Sequence, residues 1–187
     1  MKFKRNSVYG IAQVALFVAL MTASAYIQIP FPLVPLTFQT VIAVLSGLLL
    51  GAKKGAAAMS VYCFSGVVGL PVFSAGGGFT YVLKPSFGYI IGFIFASALS
   101  GALVKKSFSA KRVVLSALAG MTADYLIGVP YCIICAHFLG VGNLVNLLLL
   151  GNLVYIPKDA VLCVLAAMLY KSVAPVVSGY SVKDKKR

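Results

Sequence analysis

The sequence predicts an all-α integral membrane protein, six transmembrane helices with both termini cytoplasmic, forming a single transmembrane domain over residues 1–187. Three observations predict it. The chain is 61% apolar and only 10% charged, against roughly 25% charged in an ordinary soluble domain. Its apolar residues gather into six runs that, with their flanks, approach the roughly 20 residues a helix needs to cross a bilayer. Fourteen of the sixteen basic residues fall in four clusters at alternating ends of those runs, as the positive-inside rule produces in a chain that crosses an even number of times.

The first run, 6–29, follows Lys2, Lys4 and Arg5 and reads as a retained span rather than a cleaved signal peptide, for want of a small-residue cleavage site. It stops at Pro30, Pro32 and Pro35, whose spacing cannot continue a helix and marks a loop. The second run, 36–52, closes on Lys53 and Lys54, and the third, 55–70, on Pro71. Both are short but fall within the tolerated range of about 17–25 residues once flanks are counted. The fourth, 85–104, meets the basic segment 105–112, with Lys105, Lys106, Lys111 and Arg112. The fifth is 113–139 and the sixth has its core at 151–170, followed by Lys171, Lys183, Lys185, Lys186 and Arg187. Loops 30–35, 71–84 and 140–150 then face outward. Continuous apolar runs without period-two alternation argue against a β-barrel, the other architecture that spans a bilayer.

A net charge of +13 raises the possibility of nucleic-acid binding, which needs a solvated basic face; here the charge sits between apolar runs and membrane topology accounts for it. Cys132-Ile-Ile-Cys135 with His137 lacks both the haem spacing and a second zinc ligand pair, so the four cysteines read as small buried apolar groups. Gly47-Leu-Leu-Leu-Gly51-Ala-Lys53-Lys54 lacks the spacing and terminal hydroxyl of a phosphate loop. With one histidine and no glutamate, acid–base or metal-assisted hydrolysis is poorly supplied. Neither an enzyme nor a bound metal or cofactor is expected.

Two basic residues, Lys84 and Lys158, escape the cytoplasmic clusters. Lys158 and Asp159 lie about 20 Å along a helix from Lys171, a third of the way into a ~30 Å apolar core, where ionisable groups are costly and usually functional. As neighbours their side chains leave the helix about 100° apart, so they are expected to make a poor pair with each other and to need separate partners. If the segment is helical throughout, Asn152, Tyr155 and Asp159 share a face; if Pro157 opens the helix, Asn152 falls in the preceding turn. Asp124 is about 18 Å from Arg112 along its helix, as a proton site or as an acceptor for neighbouring hydroxyls. Lys84, before Pro85, is either an interfacial cation or an anion contact.

The second outer loop, Gly69-Leu-Pro-Val-Phe-Ser-Ala-Gly-Gly-Gly-Phe-Thr-Tyr81, combines consecutive glycines with three aromatics. A lid over a small-molecule pocket uses both features. On the first helix, Ala12, Ala15, Ala19 and Ala23 allow close approach of another helix, either within the bundle or on a separate membrane protein.

Four ordered motifs now stand out: Ile29-Pro-Phe-Pro-Leu-Val-Pro-Leu-Thr-Phe-Gln39-Thr40, Ser46-Gly-Leu-Leu-Leu-Gly51, Gly69-Leu-Pro-Val-Phe73, and Gly88-Tyr89-Ile-Ile-Gly92-Phe93. Together they resemble the BioY family, the biotin-binding S-components of energy-coupling factor (ECF) transporters, over nearly the whole chain. Where that family often reads Gly-Pro-Thr-Gly-Gly-Tyr this chain has Lys84-Pro-Ser-Phe-Gly-Tyr89. Where it often reads Pro-Gly-Asp with a lysine three residues later, this chain has Pro157-Lys158-Asp159 and Leu162, which leaves Lys158 as the candidate amine.

The resemblance implies an S-component bundle in the cell membrane that binds biotin at its outward end and releases it inward. Its partners would be a transmembrane coupling subunit and two cytoplasmic ATPases, with Ala15, Ala19 and Ala23 as the contact face. Biotin suits the residues: its ureido ring has two N–H donors and a carbonyl, its bicycle is apolar, and its tail ends in a carboxylate. Asp159 can accept from the ureido group, and Lys158 or Asn152 can donate to a carbonyl or carboxylate. Tyr155, Gln39 and Lys84 are further candidate contacts, Phe73, Tyr81 and Tyr89 can pack on the bicycle, and amides at Gly76, Gly77 and Gly78 can cover the tail. An S-component for another vitamin, or a self-sufficient proton-coupled carrier using Asp124 or Asp159, are the alternative functions.

Overall fold

The structure is a computed structural model that describes residues 2–29, 34–105, 109–140 and 155–177. The described residues form a bundle of six α-helices: α1 (Lys2–Tyr26), α2 (Gln39–Leu50), α3 (Ala52–Val67), α4 (Phe87–Val104), α5 (Ala110–Phe138) and α6 (Tyr155–Val177). Three of the described helices are themselves long and apolar enough to cross a membrane, over Val8–Tyr26, Phe87–Val104 and Ala110–Phe138.

Two expected boundaries are corrected. The second helix begins at Gln39 rather than 36, because Leu36–Thr37 is recruited into a strand, β2, that pairs antiparallel with β1, Gln28–Ile29. This leaves α2 only 12 residues long, about 18 Å of rise. The proline-rich segment is therefore flanked by a small hairpin, which brings its arms over the end of the bundle. α2 and α3 are separated by Gly51 alone, at φ 80°, a backbone angle that disfavours any side chain. The third helix accordingly opens on Lys53 and Lys54.

The charge-sorted topology is visible in the packing. Lys54 Nζ donates to Gln13 Oε1 of α1 at 3.1 Å. A Cβ at Gly101 of α4 would lie 2.4 Å from the Ala52 amide nitrogen, so the end of α4 rests on the α2–α3 turn. The basic ends of α1, α3 and α4 thus lie together, and the positive-inside rule makes that end cytoplasmic. At the opposite end Tyr26 Oη donates to the Pro71 carbonyl, Gln28 Nε2 to Ser74 O at 2.9 Å, and Tyr131 Oη to the Val82 carbonyl.

Small residues set the central helix crossings. On α4, Gly88, Gly92, Ala96 and Ser100 recur every four residues, and on α5 so do Gly120, Asp124 and Gly128. A Cβ at Gly88 would sit 2.4 Å from Tyr131 Cβ, and one at Gly128 would strike the Tyr89 ring at 2.4 Å. In lipid, where no hydrophobic drive joins helices, such close approach supplies the dispersion contact. Ser46 and Ser97 hydroxyls meet at 2.7 Å, and Ser100 Oγ donates to Val44 O at 3.2 Å, joining α2 to α4. One buried core, around Met59, Tyr62, Phe73 and Phe87, underlies the outward end. A second, around Leu48, Val104, Val113 and Tyr170, fills the inward half.

Candidate functional site

The hairpin, the start of α2, the 69–86 segment, α4, α5 and the start of α6 converge on one cavity at the outward end. Its lining includes Thr37, Gln39, Thr40, Ser74, Tyr81, Ser86, Tyr89, Tyr125, Tyr155, Lys158 and Asp159, with Ile90 and Phe93 as apolar wall. Its accessible volume is about 50 Å³.

α6 contributes the charged pair. Tyr155 and Asp159 are one helical turn apart and both line the cavity, as their shared face predicts. Tyr155 Oη donates to Val34 O at 2.6 Å. Lys158 and Asp159 do form an ion pair, Nζ to Oδ1 at 2.7 Å, contrary to the expectation that neighbours on a helix face apart. The backbone rule fixes where the stems leave the helix; the four-carbon lysine stem is long enough to bend back. What aims it is the hairpin, since Lys158 Nζ donates to Thr37 O at 2.6 Å.

Asp159 is 4% exposed. Its Oδ2 accepts a hydrogen bond from Tyr125 Oη at 2.6 Å. Its Oδ1 is ion-paired to the Lys158 ammonium at 2.7 Å and accepts no other hydrogen bond, so it keeps lone-pair capacity for one more donor.

The floor is built from α2 and α5. Gln39 Nε2 donates to Tyr62 Oη at 2.6 Å, and Tyr62 Oη to Val72 O at 3.1 Å, tying the start of α2 to the loop after α3. Asp124 is fully buried, with Oδ2 accepting from Thr40 Oγ1 at 3.1 Å and Oδ1 packed against Gly92. It does not line the cavity; its Oδ2 joins α5 to α2 through Thr40, while Oδ1 packs on α4 without a hydrogen bond.

The glycine-rich loop is more ordered than a free lid. Phe73 is fully buried and points away from the cavity into the outward core, its ring 4.6 Å from Tyr81 and 5.4 Å from Tyr62. A Cβ at Gly66 would lie 2.0 Å from that ring. The amides of Gly76 and Gly78 donate to Phe73 O and Gly66 O, and Gly77 abuts the Leu70 carbonyl, so the three glycines serve the loop's own fold. Tyr81 does line the cavity, with its hydroxyl between Ser74 at 3.1 Å and Ser86 at 3.5 Å. Tyr89 also lines it, edge-on to Tyr125 at 5.8 Å. Lys84 lies outside, exposed, its ammonium 4.6 Å over the Tyr81 ring and 3.3 Å from Ala75 O.

Asn152 lies outside the described residues. Ala15, Ala19 and Ala23 are exposed on α1, whose buried stripe is Phe17, Met21, Ser24 and Ala25. That face is therefore not consumed by packing among the described helices. Cys132 and Cys163 are fully buried, and Cys63 and Cys135 half-buried. The sequence reading missed Tyr125, Thr37, Ser74 and Ser86. Tyr125 alone carried a signal: a tyrosine within an apolar helix needs a partner for its hydroxyl.

The family model for the BioY family matches residues 1–179. The chain is 42% identical over 130 residues to a probable biotin transporter BioY of Lysinibacillus sphaericus, covering 68% of this chain and 66% of that protein, just under two thirds of its length. It is 35% identical over 160 residues to a probable biotin transporter BioY of Pyrococcus horikoshii, covering 85% and 92%. A crystal structure of the S-component for biotin from an ECF-type ABC transporter has the same fold, with a TM-score of 0.70 at 25% identity, over 90% of this chain and 92% of that one.

Proposed function

The chain belongs to the BioY family, and from that premise we propose that it is the biotin-binding S-component of an ECF transporter. It is a multi-pass membrane protein that takes biotin at its outward end and releases it to the cytoplasm. The observation that carries this reading is the arrangement around Asp159: a buried carboxylate with Oδ2 held by Tyr125 and Oδ1 paired with the Lys158 ammonium, an acceptor and a cationic donor side by side that call for a ligand offering one of each, inside a polar and aromatic cavity.

A cyclic urea meets that demand. One ureido N–H donates to Asp159 Oδ1, and the adjacent ureido carbonyl accepts from Lys158 Nζ, which lies 2.7 Å from that oxygen. Charge-assisted bonds of this kind are the stronger class. Tyr81 and Tyr89 supply aromatic faces and Ile90 and Phe93 an apolar wall for the bicycle. The tail then runs toward the hairpin and the 69–81 loop.

Ligand pockets usually hold about 300–1,000 Å³, and this cavity holds about 50 Å³. Biotin is admitted when Lys158 exchanges the Thr37 carbonyl for the ligand and the hairpin shifts outward. Hydrogen bonds from Tyr155 to Val34 and from Lys158 to Thr37 tie the hairpin to α6, and the ligand replaces the second.

Binding alone moves nothing across a membrane, and the chain carries no nucleotide-binding loop. Energy therefore comes from partners: a transmembrane coupling subunit docked on the exposed Ala15, Ala19 and Ala23 face, and two cytoplasmic ATPases attached to it. Competition binding tests the ligand assignment. Purified protein loaded with labelled biotin should release it to unlabelled biotin, and not to hundredfold more thiamine or riboflavin. Equal displacement by any of the three would reassign the vitamin.

A further inference from the structure

A second cavity lies on the side of the bundle, far from the biotin pocket. It is a lateral groove of about 400 Å³ between α1, α2 and α6, lined by Tyr9, Gln13, Leu16, Leu20, Leu49 and Leu169 among others. Its wall is almost wholly apolar. From Tyr9 to Leu20 the groove follows α1 for about 16 Å, half of a ~30 Å apolar core. It lies in the cytoplasmic half, because Gln13 on its wall bonds Lys54 of the α2–α3 turn.

Length chooses among occupants. The groove follows α1 for about half of the apolar core and stops at mid-membrane, where a partner's spanning helix would continue. A single hydrocarbon chain of one leaflet has that length.

Charge identifies the head of that chain. Lys54 bonds a neutral amide at the cytoplasmic edge of the groove, and Lys53 beside it is exposed. Among the described residues the only carboxylates are Asp124 and Asp159, both buried on α5 and α6. Neither is available to these lysines. We propose that the groove holds one acyl chain of an anionic phospholipid of the inner leaflet, its phosphate seated against Lys54. A basic residue at the membrane surface attracts such lipids, and here it stands at the edge of a groove of one-leaflet length. The inference rests on the bilayer orientation and not on the biotin site.

Native mass spectrometry of lipid-depleted protein in an uncharged detergent tests it, with 1-palmitoyl-2-oleoyl phosphatidylglycerol and the matching phosphatidylcholine as separate probes. The expected result is one phosphatidylglycerol per chain, bound at least fivefold more tightly than phosphatidylcholine. Leu16→Trp, which fills the groove from an exposed position, should lose both adducts. Lys54→Gln should keep an adduct and lose the headgroup preference. An unchanged thermal midpoint shows that the variants fold, and Ala12→Phe narrows the same groove should Leu16→Trp fail that check. Equal affinities for the two lipids in the parent chain, undiminished adducts in the filled groove, or a protein dimer in place of a lipid adduct would each overturn the proposal.

Discussion

Tyr125 on α5 donates its hydroxyl to Asp159 on α6 at 2.6 Å, joining two residues 34 positions apart at the cavity wall. The bond holds one carboxylate oxygen and turns the other toward the cavity. Tyr125→Phe deletes only the hydroxyl, so Asp159 keeps its charge and loses its orientation. Biotin affinity is expected to fall by about tenfold, the scale of a hydrogen bond to a charged group. Equilibrium binding measures it. In an Asp159→Ala background the same change should have almost no further effect, because the tyrosine acts through the acid.

Lys158 is the next test of the geometry. With its ammonium beside Asp159 Oδ1, it is predicted to meet the ureido end of the ligand and not the tail. Lys158→Met should weaken biotin and biotinamide by similar factors of about ten or more. A loss confined to biotin, with biotinamide unaffected, would move the lysine to the tail carboxylate.

Gly92 bears on packing. A Cβ there would stand 2.3 Å from Asp124 Oδ1 and 2.8 Å from its carbonyl oxygen, so Gly92→Ala must push α4 and α5 apart. Overpacking of this kind costs about 1–3 kcal/mol. The thermal midpoint of the purified protein should fall by several degrees, and by more than for Ala98→Ser elsewhere on α4.

The exposed alanines of α1 separate binding from assembly. Ala19→Leu should leave biotin affinity unchanged, because the cavity draws no residue from α1, and should abolish co-purification with the coupling subunit. Persistence of the complex would place the contact elsewhere.

The helices and their direction were legible because lipid imposes simple rules: apolar length sets the spans and lysine position sets the sides. Asp159 was legible for a related reason, since a charge within an apolar run demands an explanation. The hairpin was not. Three prolines state where a helix ends, but pairing of Gln28 with Thr37 depends on what the loop rests on. The Lys158–Asp159 pair was misread because backbone periodicity ignores side-chain reach and a distant carbonyl, Thr37 O, fixes the ammonium. Its place in a loop rich in glycine and aromatics makes Phe73 a candidate ligand contact. Its burial against Tyr62 and Gly66 is a tertiary fact with no local signature.

The most direct test of the central claim is titration of the purified protein with labelled biotin, parent against Asp159→Ala. The Asp159 carboxylate is predicted to be the principal acceptor of the ureido group, so the variant should fold with a similar thermal midpoint and bind biotin more than tenfold more weakly. An Asp159→Ala protein that binds biotin as tightly as the parent would contradict the site and the account built on it.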